Sequence, residues 1–137
     1  MSLNYLVSDS LIRIQNGFIA KMFSVEVFHS KYIEYILNIL YAEGFILGYK
    51  IKQKKIVKKT VEIILKYDKY GNPLIKNIKI ISTPGLRKYI SIIELLKIKK
   101  QKPHLNRLLI LSTSRGVLSD GQAILENTGG ELICQIN

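Results

Sequence analysis

Tryptophan is absent from the 137 residues, and there is one cysteine, Cys134, with two histidines, His29 and His104, and three prolines. A single cysteine excludes an internal disulfide and any multi-cysteine zinc site. Two histidines leave little material for metal binding or for a serine-histidine-aspartate constellation. No run approaches the roughly 18 uninterrupted apolar residues of a membrane-spanning helix. Met1 to Asp9 carries neither a basic leader before an apolar core nor an arginine-rich amphipathic presequence, so the expectation is a soluble protein that acts where its sequence begins.

Acidic residues are also scarce. Ten Asp plus Glu face 21 Lys plus Arg, for a formal charge of +11. The length fits one ordinary domain or two small ones, and a hydrophobic content of 47% is enough for a packed core. Such an excess favours a polyanionic partner, either nucleic acid or an anionic membrane surface; a protein that is merely basic is the plain alternative. The bias is lopsided, with 17 Lys, 4 Arg and 23 Ile. Lys, Ile, Asn and Tyr enriched together look like A/T-rich codon usage.

Hydrophobic periodicity orders the chain. Val7, Leu11, Ile14 and Phe18 recur at helical spacing, with Gly17 near the end. Val25 to Phe28 alternates as a short strand. Ser30 is a good N-cap for a helix carrying Ile33, Ile36, Leu37 and Leu40, and Gly44 suits its closing left-handed position. Phe45 to Ile51 and Val61 to Tyr67 alternate as two antiparallel strands. Between them, five lysines in the run 52–59 must face solvent or phosphate. Asp68 to Pro73 is dense in turn formers and divides the chain. Leu74 to Ile81 resumes as a strand. Thr83-Pro84-Gly85-Leu86 matches a type II turn, after which Arg87 to Ile90 returns as the partner strand. A short helix covers Ile92 to Ile98, and the basic run 97–103 reads as a loop stopped by proline. Leu108 to Leu111 is an apolar strand, and 112–116 a polar loop. Ser119 with Gln122 fits a capping box, Gly129 and Gly130 close that helix, and Leu132, Cys134 and Ile136 alternate in a last strand. The fold class is therefore α+β in two small lobes: an N-terminal α-β-α-β-β lobe over 1–70 and a C-terminal β-β-α-β-α-β lobe over 71–137.

Catalytic patterns fail. Ser112 and Ser114 lie in a loop before a helix, but a nucleophile elbow needs glycine two residues before and two after the serine, and Ile110 and Ser112 hold the earlier positions. No Walker loop or dinucleotide fingerprint is present. Cys134 alternates with Leu132 and Ile136 as a small buried hydrophobe. The loop suits RNA better. The hydroxyls of Ser112, Thr113 and Ser114 can pair with phosphate, ribose or a base edge, Arg115 offers a forked cation, and Gly116 lets the backbone approach. Tyr89 and Arg87, two apart on a strand, share a face on which a base can stack beside a held phosphate. Each of these features taken alone reads more simply as a turn or a half-buried side chain.

Several blocks in order carry a more specific signal. Leu111-Ser112-Thr113-Ser114-Arg115-Gly116-Val117-Leu118-Ser119-Asp120 with Ala123, then Gly129-Gly130-Glu131-Leu132-Ile133-Cys134, is similar to the signature of the small-subunit ribosomal protein eight family, bacterial type. Ser82 to Tyr89, the set Asp9, Leu11, Arg13, Ile14 and Asn16, and Glu43-Gly44-Phe45 also match it, so the chain resembles that family over almost its whole length. The resemblance implies a structural, non-enzymatic constituent of the small ribosomal subunit that binds the central domain of small-subunit rRNA and supports assembly and translation. It implicates Ser112, Thr113, Ser114 and Gly116, with Tyr89 and Arg87 nearby, and phosphate contacts by Arg13, Asn16 and Lys31. Lys54 and Lys55 in the basic hairpin join these as expected RNA contacts, and Arg115 as the loop cation. Protein five is the expected neighbour. No cofactor, metal, membrane or small-molecule substrate is implied. A translational repressor that binds an mRNA mimic of the rRNA site is the alternative. Arg107, Ile124, Asn4 to Val7 and the ending Gln135-Ile136-Asn137 depart from the family pattern. The composition and this ending look organellar, which favours a mitochondrial origin, with a plastid or the bacterial cytoplasm as alternatives.

Overall fold

The computed structural model describes residues 2–53, 59–83, 85–101 and 107–137. Contacts within the chain fall into two compact units, Met1–Asn77 and Ile78–Asn137. The fold is α+β in both, as the sequence pattern predicts.

The first unit runs α1 (Ser2–Ile19), β1 (Ser24–Phe28), α2 (Lys31–Ala42), β2 (Ile46–Gln53) and β3 (Lys59–Leu65). Its three strands form an antiparallel sheet in the order β1-β3-β2. Val25 opposes Ile63 and Val27 opposes Val61, all four buried, which makes this the helix-bearing face. Helix α1 lies so close to it that a Cβ added at Gly17 would meet Val25 Cγ1 at 2.3 Å. Gly17 is thus a packing residue inside the helix. The helix is closed by Lys21, at φ +55, with the Lys21 N–H bonded to the Phe18 carbonyl and the Met22 N–H to the Gly17 carbonyl. Helix α2 begins and ends as its sequence predicts. The Ser30 hydroxyl accepts the Ile33 N–H at 3.1 Å, and Gly44 sits at φ +81 after the last turn. Asp68 organises the following reversal by accepting the N–H groups of Tyr70 and Asn72 at 2.8 Å each. Asn72 chiefly, with Tyr70, holds its carboxyl below the usual range. Residues 71–77 go with the first unit in the contact pattern, and Ile75 is buried. The lysine-rich tip at 54–58 lies outside the described residues, as do Pro84 and residues 102–106.

The second unit runs β4 (Ile78–Ile80), β5 (Tyr89–Ile90), α3 (Ile92–Gln101), β6 (Leu108–Thr113), β7 (Gly116–Ser119), α4 (Asp120–Leu125) and β8 (Gly130–Ile136). The sheet order is β4-β8-β6-β7, and β5 also pairs with β8. Several expectations change here, the first of them along one edge of the sheet. Strand β4 is shorter than 74–81. Strand β5 does not return against β4: both run along one edge of β8, β4 opposite 134–136 and β5 opposite 130–131. The segment between them loops out at a tight Thr83–Leu86 turn, with reciprocal bonds of 3.0 and 3.1 Å, and buried Ser82 splices the ladder behind it. Its hydroxyl accepts the Lys88 N–H at 3.0 Å and donates to the Leu132 carbonyl at 2.7 Å. Second, Lys97, Lys99 and Lys100 belong to α3 instead of a loop. Lysine is a good helix former, cations suit the last turn, and Lys99 Nζ bonds Asp120 on α4 at 3.0 Å. Third, the residues after the polar loop form strand β7. Fourth, the residue that closes α4 is Asn127, at φ +54. Its N–H bonds the Ile124 carbonyl, and that of Thr128 bonds Ala123. The capping box at Ser119 and Gln122 forms as expected.

The core of this unit gathers Ile90, Leu95, Leu109, Leu111 and Ala123, with Ile98, Leu118, Ile124 and Leu132 around it. Cys134 is fully buried, and burial pushes its thiol from 9.0 up to about 12. It should therefore resist iodoacetamide in the native protein at about pH 8 and react once denaturant is added. Rapid labelling of the native protein would show β8 open at this point. A raised folded-state value also means that the thiol's contribution to stability is present below 9.0 and lost as pH rises towards about 12.

Candidate nucleic-acid interface

Antiparallel pairing places directly opposed residues on the same face of a sheet. In the second unit Tyr89 opposes Glu131, Glu131 opposes Ser112, and Ser112 opposes Val117. These four side chains form one row across β5, β8, β6 and β7. Alternation along β6 sets the row on the face opposite Leu109 and Leu111, which are covered by α3 and α4. Tyr89 is 71% exposed, so its ring is available to stack. Arg87 flanks the row and reaches both Glu131 carboxylate oxygens at 3.4 Å.

Strands β6 and β7 are joined by a two-residue turn, with Thr113 paired to Gly116 and Ser114-Arg115 at its tip. Gly116 stands at φ +109, a conformation that favours glycine, and an added Cβ would meet only open space. The three hydroxyls of the turn divide their work. Thr113 Oγ1 accepts the Arg115 N–H at 3.1 Å and donates to the Gly116 carbonyl at 2.8 Å, so it builds the turn. Ser112 is half-buried and Ser114 exposed, and neither hydroxyl has a partner among the described residues. Arg115 is exposed at the tip, its guanidinium on the Glu126 carboxylate at 2.8 Å.

Seven residues expected at the site, Ser112, Thr113, Ser114, Arg115, Gly116, Tyr89 and Arg87, therefore share one end of one sheet. In the first unit, Arg13 and Asn16 are exposed one helical turn apart on α1. They rim a groove of about 550 Å³ with Glu26 and Glu62. Arg13 reaches Asp9 at 3.6 Å and donates to the Glu26 carbonyl at 3.4 Å. Lys31 is exposed at the first position of α2. Lys54 and Lys55 lie outside the described residues.

Two residues of this candidate site have no signal in the sequence analysis. Glu131 sits between Tyr89 and Ser112, and Gly130 lets β8 reach them. A Cβ at Gly130 would lie 2.3 Å from the Ser112 carbonyl oxygen and 3.0 Å from Thr113 Cγ2. Both residues stand in the run Gly129-Gly130-Glu131, where the glycines read as a helix close and the acid carries no role of its own.

The family model described as Ribosomal protein S8 matches residues 6–137. The chain is similar to the small ribosomal subunit protein uS8 of Wigglesworthia glossinidia brevipalpis, 40% identical over 142 residues and covering 99% of each chain. That of Orientia tsutsugamushi strain Boryong is 38% identical over 138 residues, again 99% of each. That of Campylobacter lari is 35% identical over 134 residues, 98% of each.

The close approach at Gly130 predicts a site-specific cost. Gly130→Ala should lower stability by about 1–3 kcal/mol, read as the urea midpoint, because backbone atoms must shift. Gly121→Ala, at a helical position with open space around it, should leave the midpoint equal or slightly raised. Equal midpoints for the wild type and Gly130→Ala would show that β8 does not pass this tightly.

Proposed function

The chain belongs to the ribosomal protein S8 family and is a structural, non-enzymatic protein of the small ribosomal subunit; from that premise we propose that it binds the central domain of small-subunit rRNA through the β5-β8-β6-β7 row. The observation that carries this reading is the grouping of two serine hydroxyls without a partner among the described residues, Ser112 and Ser114, with an exposed tyrosine, Tyr89, at one end of the second unit's sheet. Hydroxyls of fixed position read ribose, phosphate or base edges, and an aromatic ring stacks on an unpaired base. The sheet holds them on backbone that is itself hydrogen-bonded, so little order has to be gained on binding.

In this reading Thr113 and Gly116 set the shape of the tip, and Arg87 and Arg115 meet phosphate. Arg13, Asn16 and Lys31 of the first unit add phosphate contacts, as do Lys54 and Lys55. Arginine and lysine contacts supply affinity that falls with salt; hydroxyl and stacking contacts supply selectivity. Protein five is the proposed neighbour. The mitochondrial ribosome is the proposed location, on the strength of the A/T-rich composition, although the relatives named above are bacterial; the compartment from which the small subunit co-purifies with this chain decides between them. The same face would serve translational repression through an mRNA of similar shape.

Ser112→Ala and Ser114→Ala should each weaken binding to a central-domain rRNA fragment by about 1 kcal/mol, close to fivefold, and leave binding to a random RNA duplex almost unchanged. Equal losses on both RNAs would remove the turn as a selectivity element. A filter-binding series that includes the protein's own transcript separates the two roles. Affinity for that transcript equal to affinity for the rRNA fragment favours the repressor.

A further inference from the structure

Arg115 stands at the tip of the β6–β7 turn, where the proposed rRNA contact needs a cation, yet its guanidinium is occupied. Nη1 lies 2.8 Å from Glu126 Oε2, a charge-assisted hydrogen bond of good length. Glu126 reaches it from the last turn of α4, where it is the C-cap residue. That is an unfavourable place for a carboxylate, since the C-terminal end of a helix carries partial negative charge. No other charged group is bonded to Glu126 among the described residues. Both side chains are exposed, 62% for Arg115 and 47% for Glu126, so the pair is held in water and is easily exchanged.

A carboxylate and a phosphate present similar paired oxygens to a guanidinium. We propose that Glu126 is a specificity-setting internal anion: it occupies Arg115 in the free protein in the place that an rRNA phosphate takes in the complex, and must be displaced on binding. The proposal rests on the rRNA-binding reading given above. The consequence is directional. Displacement leaves a bare carboxylate at a helix C-terminus beside the incoming phosphate, so Glu126 opposes every complex that uses Arg115. Phosphate attraction at the tip is thereby weakened, and binding leans more on the hydroxyls of Ser112 and Ser114, which Glu126 does not touch. The turn geometry is independent of the pair, because Thr113 and Gly116 hold the backbone of Arg115 through bonds of their own.

The test is a double-mutant cycle on the full chain with Glu126→Gln, Arg115→Gln and the double variant. Two probes are used, a transcribed central-domain fragment of small-subunit rRNA and an unrelated RNA duplex of matched length. Glu126→Gln should tighten binding by about two- to fivefold at low salt, with the gain shrinking as salt rises. In the Arg115→Gln background the same change should give a clearly smaller gain, since only the general repulsion of phosphate by the carboxylate is then relieved and there is no guanidinium to release. A gain of equal size with and without Arg115 overturns the proposal, because it reflects only the removed charge. A loss on Glu126→Gln also overturns it, because Glu126 would then be positioning Arg115 for RNA, and so does no change at all. If the wild type does not prefer the central-domain fragment, the functional reading fails, while the cycle on the duplex still reports whether Glu126 competes with phosphate.

Discussion

Strand β8 has no room for a side chain where it enters the second unit. At Gly129 a Cβ would lie 2.4 Å from the Ile90 carbonyl, and at Gly130 it would lie 2.3 Å from that of Ser112. Those two contacts lie on opposite edges of the strand, towards β5 and towards β6. They allow β8 to pair with β5 on one side while it pairs with β6 on the other. Register follows from that. With Glu131 fixed between Tyr89 and Ser112, the aromatic ring and the hydroxyls fall in one row. A slip of one residue on either side would send one of them to the helix-covered face. The loop-out spliced by Ser82 serves the same end, since it returns the chain to β8 in time for Tyr89 to take its place.

Electrostatics is layered over this frame and is far softer. The charge of +11 reads at first as one undivided attraction for a polyanion. The structure sorts it. Lys99 bonds Asp120, a carboxylate only 7% exposed at the start of α4, and so ties two helices together. Lys52 sits on Glu62 at 2.7 Å in the first sheet. Arg87 and Arg115 are each met by a carboxylate of their own unit. Pairs as exposed as Arg115–Glu126 contribute at most about 1 kcal/mol, so they yield to a competing anion without disturbing the fold. Part of the cation excess is thus structural, and part is held by weak internal partners.

Local signals were legible in the sequence wherever one residue does one job. Ser30, Gly44 and the Ser119–Gln122 box announce helix ends because capping is a short-range interaction. Apolar spacing located α1, α2 and the long strands for the same reason. What stayed hidden depends on partners distant in the chain. Arg87 to Ile90 looks like the return arm of a hairpin because Thr83 to Leu86 contains turn formers, and only the pairing with β8, some 40 residues on, shows it to be the second half of one edge. Gly17 and Gly130 look like helix enders because glycine does that work most often, whereas here close packing against Val25 and Ser112 requires them. Lys97 to Lys100 look like a loop because charge runs suggest solvent, and the tie to Asp120 is invisible without the fold. Glu131 has no local signal of its own, because only sheet register, set by partners distant in the chain, places it between Tyr89 and Ser112.

The run Ser112-Thr113-Ser114 shows why motif and mechanism are different statements. Its three hydroxyls are chemically alike, and in sequence nothing ranks them. Backbone geometry does. Thr113 faces across the turn and uses both its donor and its acceptor on Arg115 and Gly116, so it has little left for a ligand. Alternation turns Ser112 to the opposite face, and Ser114 rides on the tip. The two that remain unbonded are held by the one whose bonds are made. Selectivity for a folded RNA asks for polar atoms whose positions are set before the ligand arrives. A two-residue turn fixed by its own threonine and carried on a sheet locked at Gly130 meets that demand, and a flexible lysine side chain does not. That is the physical ground for the proposed division, with discrimination at the turn and bulk affinity in the basic residues around it.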